Sequence, residues 1–389
     1  MTGEPFSLYV HVPFCSQKCP YCDFNTYAVR EVPDREYVDA LITELNTYEN
    51  DPRFAGRRLR SIFFGGGTPS LLSPASIGRV IEQALAIFPA LPDIETTLEA
   101  NPSSPSQERY EAYRSSGINR ISFGVQSFDS ARLSQLGRDH TADDARRAIF
   151  AAVGAGITNV SLDIIFGVPE QTLTGLRDDL REASKLPITH LSTYALSIEP
   201  GTPFFQRQER GLLAMPPEER TVEMLSMIPH VLAEHGFSRY EISNYARGAA
   251  WESRHNKAYW IGDDYLGIGA GAHSYAAQYQ GGVRLAAERW SSYALPATYI
   301  EHARKGTPVS WREMLDSAAL HFEFFYLGLR RAVGVSREDF QRLFACPIPV
   351  RIEETLVELV REGYLEDDGT IRLTERGIAL SDSVFERLA

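Results

Sequence analysis

The feature that most constrains the fold of this chain is a regular alternation of two kinds of segment over roughly the first 235 residues. Short apolar runs rich in β-branched and aromatic residues are each followed by a longer stretch with helical periodicity. Alternation of this kind predicts βαβ units with right-handed crossovers, arranged either as an open barrel or as a doubly wound sheet. The predicted strands are Leu8–Val12, Ser61–Phe64, Thr96–Glu99, Arg120–Gln126, Asn159–Phe166 and His190–Leu196. The predicted helices are Arg35–Tyr48, Pro74–Phe88, Gln107–Ser116, Ala142–Ala155, Leu173–Lys185 and Glu218–His235.

Several of these helices follow a residue whose side chain can cap them. Ser73 precedes Pro74, and Asp34, Ser106 and Thr141 precede other helical runs. A side-chain oxygen at this position accepts a hydrogen bond from a free N–H group of the first turn. We therefore expect each of these residues to cap the helix that follows it.

The rest of the chain divides into two further regions. Residues 237–300 are rich in Gly, Tyr, Trp and His, and we predict that they form strands and loops that close the barrel of residues 1–236. Residues 301–389 return to helical periodicity, and Asp368-Gly369 between two short alternating runs indicates a hairpin. Helices followed by a hairpin are typical of a small α+β, winged-helix-like domain. Its predicted helices are Trp311–Ala332, Arg337–Phe344 and Val350–Glu362.

Composition excludes several classes of protein. The formal net charge of −12 disfavours nonspecific binding to nucleic acid, so we predict no nucleic-acid partner. Residues 1–7 show no signal-peptide pattern, and no apolar run reaches the length of a transmembrane helix. Four cysteines in 389 residues are too few for a disulfide framework. Their clustering indicates metal or redox chemistry in a cytoplasmic protein.

Three of the four cysteines lie within eight positions of one another, in HVPFCSQKCPYCDF. Cys15, Cys19 and Cys22 follow the first predicted strand, at the end of the sheet where such folds place their chemistry. Soft thiolate ligands suit an iron–sulfur cluster or zinc. A cluster of four irons would keep one iron open to another ligand, whereas a zinc site would take His11 as its fourth ligand. Cys346 stands alone, and we expect it to be a small buried residue.

Polar or glycine residues also end the other predicted strands. Gly65–Gly67 and Thr68 end the second strand, where glycines permit either a tight turn or close approach to a ligand. Carboxylates and amides can bind hydroxyl groups, and a guanidinium can donate two parallel hydrogen bonds to a carboxylate. Each such residue can equally cap a strand or pair across a loop. The further residues of this kind are Glu99, Gln126, Arg138, Asp163 and Tyr194-Ala195.

The segment YVHVPFCSQKCPYCDFN resembles the cysteine motif of the radical S-adenosylmethionine (SAM) superfamily. More narrowly, it is similar to the oxygen-independent coproporphyrinogen III oxidase-like family, and the resemblance covers nearly the whole chain. It implies a partial (β/α)6 barrel in which the three clustered cysteines hold a [4Fe–4S] cluster whose open iron binds SAM. The residues that the resemblance implies as SAM contacts are Tyr9, Gly66, Gly67, Thr68, Glu99, Gln126, Arg138, Asp163 and Ala195.

Two features resemble the haem chaperone branch of that family, HemW, more than the oxidases. The oxidases carry a further cysteine two residues after the third and a longer segment before the first strand, whereas this chain has Phe24 there and reaches Tyr9 early. The stretch RHNKAYW fits the H-N-x-x-Y-W pattern linked to haem in that branch, which implies haem contacts by His255, Tyr259 and Trp260. A histidine beside aromatics is also typical of a packed core. His273 is a further candidate to face the cofactor or a substrate, although a structural role is the alternative.

The resemblance leaves two functions open. The first is a carrier that binds haem and delivers it to an acceptor, with the cluster and SAM serving regulation, dimerisation or transfer. The second is an enzyme that oxidatively decarboxylates coproporphyrinogen III by radical chemistry. Phe24 and RHNKAYW favour the carrier. The implied partners are a haem-acceptor protein, for which a membrane-associated respiratory protein is one candidate, an electron donor protein and a second copy of the chain. The implied location is cytoplasmic, with peripheral association at the membrane.

Overall fold

The structure is a computed structural model that describes residues 4–103 and 106–389. All six strands and all six helices predicted for the first 235 residues are present. Two further short helices, Ser130–Gln135 and Pro203–Glu209, were not predicted. The strands of this part are β1 (Phe6–Val12), β2 (Phe14–Cys15), β3 (Tyr27–Ala28), β4 (Leu59–Gly66), β5 (Ala90–Ala100), β6 (Arg120–Gln126), β7 (Asn159–Phe166), β8 (His190–Ala195), β9 (Ser238–Arg239) and β10 (Asn244–Ala246). Its helices are α1 (Asp34–Asn46), α2 (Pro74–Ile87), α3 (Gln107–Ser115), α4 (Ser130–Gln135), α5 (Ala142–Gly154), α6 (Leu173–Lys185), α7 (Pro203–Glu209) and α8 (Glu218–Ala233).

Six parallel strands form the partial barrel. β1, β4, β5, β6, β7 and β8 lie side by side in chain order. A doubly wound sheet would reverse its strand order at a switch point, so the barrel is the correct one of the two predicted arrangements. Because side chains alternate along a strand, Leu8 and Val10 join the apolar core under the helices, while Tyr9 lines the barrel interior.

The chain then extends the sheet at both edges. The further elements are α9 (Arg254–Trp260), β11 (Tyr265–Ile268), β12 (His273–Gln280), β13 (Val283–Ser292), α10 (Pro296–Arg304) and β14 (Val309–Leu315). β11 pairs in parallel with β1, and β12, β13 and β14 continue from it as antiparallel strands. On the opposite edge β10 pairs antiparallel with β8 and with β9. The result is a sheet of 12 strands that includes the barrel.

One predicted helix is partly wrong. Residues 311–315 were predicted to begin the helix Trp311–Ala332, but they belong to β14 and pair with β13. The helix begins only at Ser317, because the Asp316 side chain accepts a hydrogen bond from the N–H of Ala319 and caps the helix there. The β13 residues that pair with this segment lie 20 to 30 positions earlier in the chain. The periodicity within residues 311–315 carries no information about that pairing.

The last part of the chain packs as helices and one hairpin around a core of its own. Phe325, Phe340 and Leu356 lie in this second apolar core. The hairpin turns at Gly369, whose φ of 102° requires glycine. Its elements are α11 (Ser317–Gly328), α12 (Arg337–Phe344), α13 (Val350–Arg361), β15 (Leu365–Asp367), β16 (Ile371–Leu373), α14 (Glu375–Ala379) and α15 (Ser381–Leu388). This confirms the predicted α+β, winged-helix-like arrangement.

Across the described residues, no helix has both the length and the apolar character needed to cross a membrane.

The predicted caps are correct at three of four helices. Ser73, Ser106 and Thr141 each accept a hydrogen bond from an N–H of the following first turn. Asp34 does not cap the helix it begins. Its carboxylate instead accepts from the Ser73 N–H at 3.4 Å and from Ser76 Oγ at 2.9 Å, and so ties α1 to the start of α2. The hydrogen bonds of the Asp34 carboxylate are therefore determined by the packing of α1 against α2, whereas the capping rule considers only the residues at the start of one helix.

Candidate cofactor site at the upper end of the barrel

The carboxyl ends of the six parallel strands form what we call the upper end of the barrel, and the loop after β1 folds over it. Thr68, beyond β4, donates a hydrogen bond from Oγ1 to Cys15 Sγ at 3.6 Å. Arg138, beyond β6, donates from Nη1 to Cys19 Sγ at 3.3 Å. Cys22 lies near both other cysteines, and burial raises the pKa of the Cys15 and Cys22 thiols. The loop therefore presents three accessible thiols to the ends of neighbouring strands.

His11 points away from these thiols and has no ring nitrogen free. Its Nδ1 lies 3.0 Å from Tyr9 Oη, and its Nε2 lies 3.0 Å from the carbonyl oxygen of Asn25. The zinc alternative therefore loses the fourth ligand that the sequence suggested. Within residues 4–103 and 106–389, no three His, Cys, Asp or Glu side chains converge as around a single metal ion. A cluster of four irons needs no such convergence, because each cysteine binds a different iron.

A cavity of about 430 Å³, which we call the upper cavity, lies beside the three cysteines. Most of the residues that the resemblance implied as SAM contacts meet here, although they are spread over some 130 positions of the chain. Those that line the upper cavity are Gly66, Gly67, Thr68, Glu99, Gln126, Arg138, Asp163 and Ala195. Tyr9 is the exception and lines a second, inner cavity of about 200 Å³ within the barrel. Glu99, Asp163 and Tyr194 line both cavities, so the two are neighbours.

Gly66 and Gly67 allow the cysteine loop to pack directly against the end of β4. A Cβ on Gly67 would lie 2.6 Å from the carbonyl oxygen of Phe14 and 3.0 Å from Cys15 Sγ. A Cβ on Gly66, whose φ is 112°, would lie 2.5 Å from the His11 ring. The glycines therefore make the close turn and also line the upper cavity, and their contact with a ligand there stays a prediction.

Two carboxyl groups face each other across the upper cavity. Glu99 Oε2 accepts a hydrogen bond from the Gly66 N–H at 3.1 Å, and Asp163 Oδ1 accepts from Ser122 Oγ at 3.4 Å. Burial and the neighbouring Asp163 charge raise the pKa of Glu99 to about 8. Burial also raises the pKa of Asp163 to about 6. The pair can therefore both accept and donate hydrogen bonds near neutral pH, which suits the hydroxyl groups of a sugar.

Gln126 and Arg138 carry unsatisfied polar atoms at the same place. Gln126 has a φ of 69°, and its buried Oε1 has no hydrogen-bond partner among the described residues. Arg138 donates from Nη2 to Asn101 Oδ1 at 3.1 Å and to the Gly124 carbonyl oxygen at 2.8 Å, but its buried Nε lacks a partner there. An unsatisfied buried polar group costs about 1 to 3 kcal/mol, and left-handed backbone at a residue other than glycine adds about 1 kcal/mol or more. Such costs concentrate at ligand sites, so these residues fit a polar cofactor such as SAM.

The residues implied as haem contacts do not meet on one surface. α9 closes the lower end of the barrel, where the strands begin. There His255 is buried, with Nδ1 2.9 Å from Ser61 Oγ and Nε2 3.1 Å from Tyr259 Oη. Its ring stacks on Phe63 at 4.8 Å, and burial lowers its pKa to about 3. Trp260 lies on another side of α9, under the guanidinium of Arg330. Haem ligation by His255 would require the hydrogen bond at one of its two ring nitrogens to break, and the haem role of these three residues stays a prediction.

His273 and Asn25 complete the picture of the cysteine loop. His273 is exposed at the start of β12 and lines neither barrel cavity, and its role toward a cofactor or substrate stays a prediction. Asn25, which sequence reasoning missed, donates from Nδ2 to the carbonyl oxygens of Ala270 at 2.9 Å and Ala294 at 3.0 Å. It thereby anchors the loop to the segment beyond β11. Its only sequence signal is its position three residues after Cys22.

Comparisons with known proteins agree with this geometry. The sequence profile of the Radical SAM superfamily matches residues 9–183. The chain is 34% identical to "Heme chaperone HemW" of Lactococcus lactis over 100% of this chain and 98% of that protein. It is 36% identical to the protein of the same name from Escherichia coli, over 98% of this chain and 97% of the other. Among solved structures, coproporphyrinogen III oxidase (HemN) of E. coli has the same fold, with a TM-score of 0.83 at 22% identity over 100% of this chain and 91% of that one.

Proposed function

The chain belongs to the radical SAM superfamily and, within it, to the HemW family, and on that premise we propose that it is a haem chaperone. In this proposal it binds a [4Fe–4S] cluster, SAM and haem, and transfers haem to an acceptor protein. The haem part of the proposal is supported by the names of relatives that match along their full length. The cofactor part is supported by this chain's own residues.

The observation that carries the cofactor part is the composition of the upper cavity. Three thiols, two protonatable carboxyl groups, a strained glutamine and an arginine with an unsatisfied Nε meet in about 430 Å³. Cys15, Cys19 and Cys22 would hold the cluster, which supplies an electron to the sulfonium when it is bound and reduced. Glu99 and Asp163 would accept and donate hydrogen bonds to the ribose hydroxyls. Arg138, already beside Cys19, would bind a carboxylate next to the cluster.

Phe24 favours the carrier over the oxidase. Its side chain is 62% exposed and lines the upper cavity, at the position where the oxidases carry a further cysteine. A phenyl ring can neither ligate iron nor exchange protons with a substrate. It offers instead an apolar contact at the mouth of the cavity.

The proposal includes the partners that the resemblance implied. These are an electron donor protein, a haem acceptor such as a membrane-associated respiratory protein, and a second copy of the chain. Delivery to such an acceptor would place a cytoplasmic protein at the membrane surface for part of its cycle.

One anaerobic experiment tests the proposal against the oxidase. Protein reconstituted with iron and sulfide is given SAM, a reductant and either coproporphyrinogen III or haem. We expect a haem-induced Soret band, transfer of that haem to an apo-acceptor such as apomyoglobin, and no protoporphyrinogen. Formation of protoporphyrinogen at a rate well above that of a Cys19→Ala variant would overturn the chaperone assignment in favour of the decarboxylase.

A further inference from the structure

A third cavity, larger than the upper and inner cavities, lies outside the barrel at its lower end. This cavity, which we call the lower cleft, has a volume of about 910 Å³. It opens between α11 and α12 on one side and the turn after α9 together with β12 and β13 on the other. None of its lining residues lines the upper or the inner cavity. The function proposed above therefore assigns nothing to the lower cleft.

Two arginines of the lower cleft form no ion pair with a carboxylate of the described residues. Arg284 on β13 is only 8% exposed, and its guanidinium donates to Tyr279 Oη and to the carbonyl oxygen of Gly262. Arg331, just after α11, is half-buried, and its guanidinium makes no hydrogen bond or ion pair with any residue in the described ranges. A partly buried guanidinium without an ion pair can donate strong, charge-assisted hydrogen bonds to an anion that binds beside it.

The carboxylates of the lower cleft are already engaged. Asp264 pairs with Arg57, and Asp263 pairs with Arg60 outside the cleft. The remaining acidic side chains are Glu323, which pairs with Arg289, Asp339, which pairs with Arg342, and Glu4, which is exposed at the rim. Arg284 and Arg331 are therefore the two arginines of the cleft that form no ion pair in the described residues, with Asp263 and Asp264 as acidic neighbours of Arg284 and Asp339 as that of Arg331.

Apolar and aromatic side chains line the lower cleft on both of its sides. α11 contributes Phe324 and Leu327, α12 contributes Leu343, and Trp260 and Tyr275 face them from the barrel side. An amphiphilic cavity of this size matches a flat apolar molecule that also carries acidic groups. Its volume lies near the top of the range for small-molecule sites, about 300 to 1,000 Å³.

We propose that the lower cleft binds a tetrapyrrole through its propionates, with Arg284 and Arg331 as the carboxylate receptors and the α11–α12 wall against the ring. This inference rests on the proposed haem function and states where in the fold the haem would bind. The cargo then lies at the end of the barrel opposite to the cluster cysteines. A carrier tolerates that separation, whereas a radical decarboxylase needs its substrate propionate beside SAM.

The test uses cluster-loaded protein and two fluorescent probes, protoporphyrin IX and its dimethyl ester, which lacks free carboxylates. We expect Arg331→Gln and Arg284→Gln each to weaken protoporphyrin IX binding about tenfold, as the loss of one charge-assisted pair implies. The dimethyl ester should bind wild type about as weakly as the double variant binds the free acid. Arg79→Gln, which removes an exposed paired arginine elsewhere, is the control and should change nothing.

Arg331→Gln keeps the test decisive even if Arg284→Gln unfolds, because the Arg331 side chain holds no other described residue in place. Circular dichroism confirms that each variant is folded. Equal affinity of wild type and a folded Arg331→Gln variant for protoporphyrin IX, with no preference over the ester, would overturn the lower cleft as the site. Failure of wild type to bind either probe or haem would instead contradict the haem function itself, and this inference with it.

Discussion

The upper and lower ends of the barrel are built from the same strands, but the residues predicted to bind a ligand differ in how their hydrogen bonds are satisfied. At the upper end Gln126 Oε1 and Arg138 Nε are buried without partners in the described residues, and Gln126 adopts a strained backbone. At the lower end His255 has both ring nitrogens bonded, and Glu95 accepts from its backbone N–H. Even there two buried nitrogens lack a partner in the described residues: Arg120 Nε, at the start of β6, and Trp260 Nε1, in the residue of α9 that lines the lower cleft.

The difference separates a ligand site from a structural plug. Folding satisfies most buried polar groups, and an unsatisfied polar atom beside a cavity is available to hydrogen-bond a ligand. By that criterion the upper cavity fits a polar ligand, while His255 and Tyr259 hold α9 across the bottom of the barrel. Four changes test this contrast.

The largest effect is expected from Cys19→Ala, because this variant keeps only two of the three thiolates that would hold the cluster. We expect complete loss of cluster absorbance, iron and acid-labile sulfide after anaerobic reconstitution. Cys346→Ala, which alters a thiol remote from the loop, should retain all three. Full iron content in Cys19→Ala would show that the ligand assignment is wrong.

Arg138→Gln should leave the cluster in place but weaken SAM binding. Loss of a charge-assisted contact to a carboxylate costs about 2 kcal/mol, roughly a thirtyfold change in the dissociation constant. Equilibrium dialysis with reconstituted protein measures it. Arg146→Gln, which removes an arginine paired with Glu182 on the outer helices, is the matched control and should bind SAM as wild type does. Unchanged SAM affinity in Arg138→Gln would remove this arginine from the site.

His255→Ala should act on stability and not on haem. The substitution empties a buried position and deprives Ser61 and Tyr259 of a partner, so we expect the free energy of unfolding to fall by about 2 to 4 kcal/mol. Urea denaturation measures the change, with His273→Ala as an exposed control. Haem affinity should stay within about threefold of wild type, a shift below 1 kcal/mol. A tenfold loss in folded protein would instead support the ligation that the sequence pattern suggested.

The smallest effect concerns pH and Glu99. Burial raises its pKa from 4.5 to about 8, so the folded apo-protein keeps a proton that the unfolded chain has lost. Stability must therefore fall as pH rises from about 4.5 to 8, and Glu99→Gln should remove part of that fall. Glu44→Gln provides the control. Burial raises the Glu44 pKa to about 7, so it should alter stability with the same sign, but SAM affinity should not change. An identical pH profile for wild type and Glu99→Gln would contradict the raised pKa.

Local pattern was sufficient for the barrel strands and the cysteine loop. β6 and β7 begin and end at the predicted residues, because apolar periodicity and flanking turns are properties of neighbouring positions. The same holds for α6 and α12. The spacing of Cys15, Cys19 and Cys22 also required no knowledge of distant residues.

What local pattern missed depends on partners far along the chain. β14 was predicted to be helical because its pairing with β13 leaves no periodic signature in five exposed residues. The haem contacts implied for His255, Tyr259 and Trp260 stay a prediction, but their placement was not predictable: the segment is a helix that turns His255 inward and Trp260 toward the lower cleft. The direction of a side chain on a short helix is set by what packs against each face. Those faces are supplied by β4, more than 180 residues earlier, and by α11, more than 50 residues later.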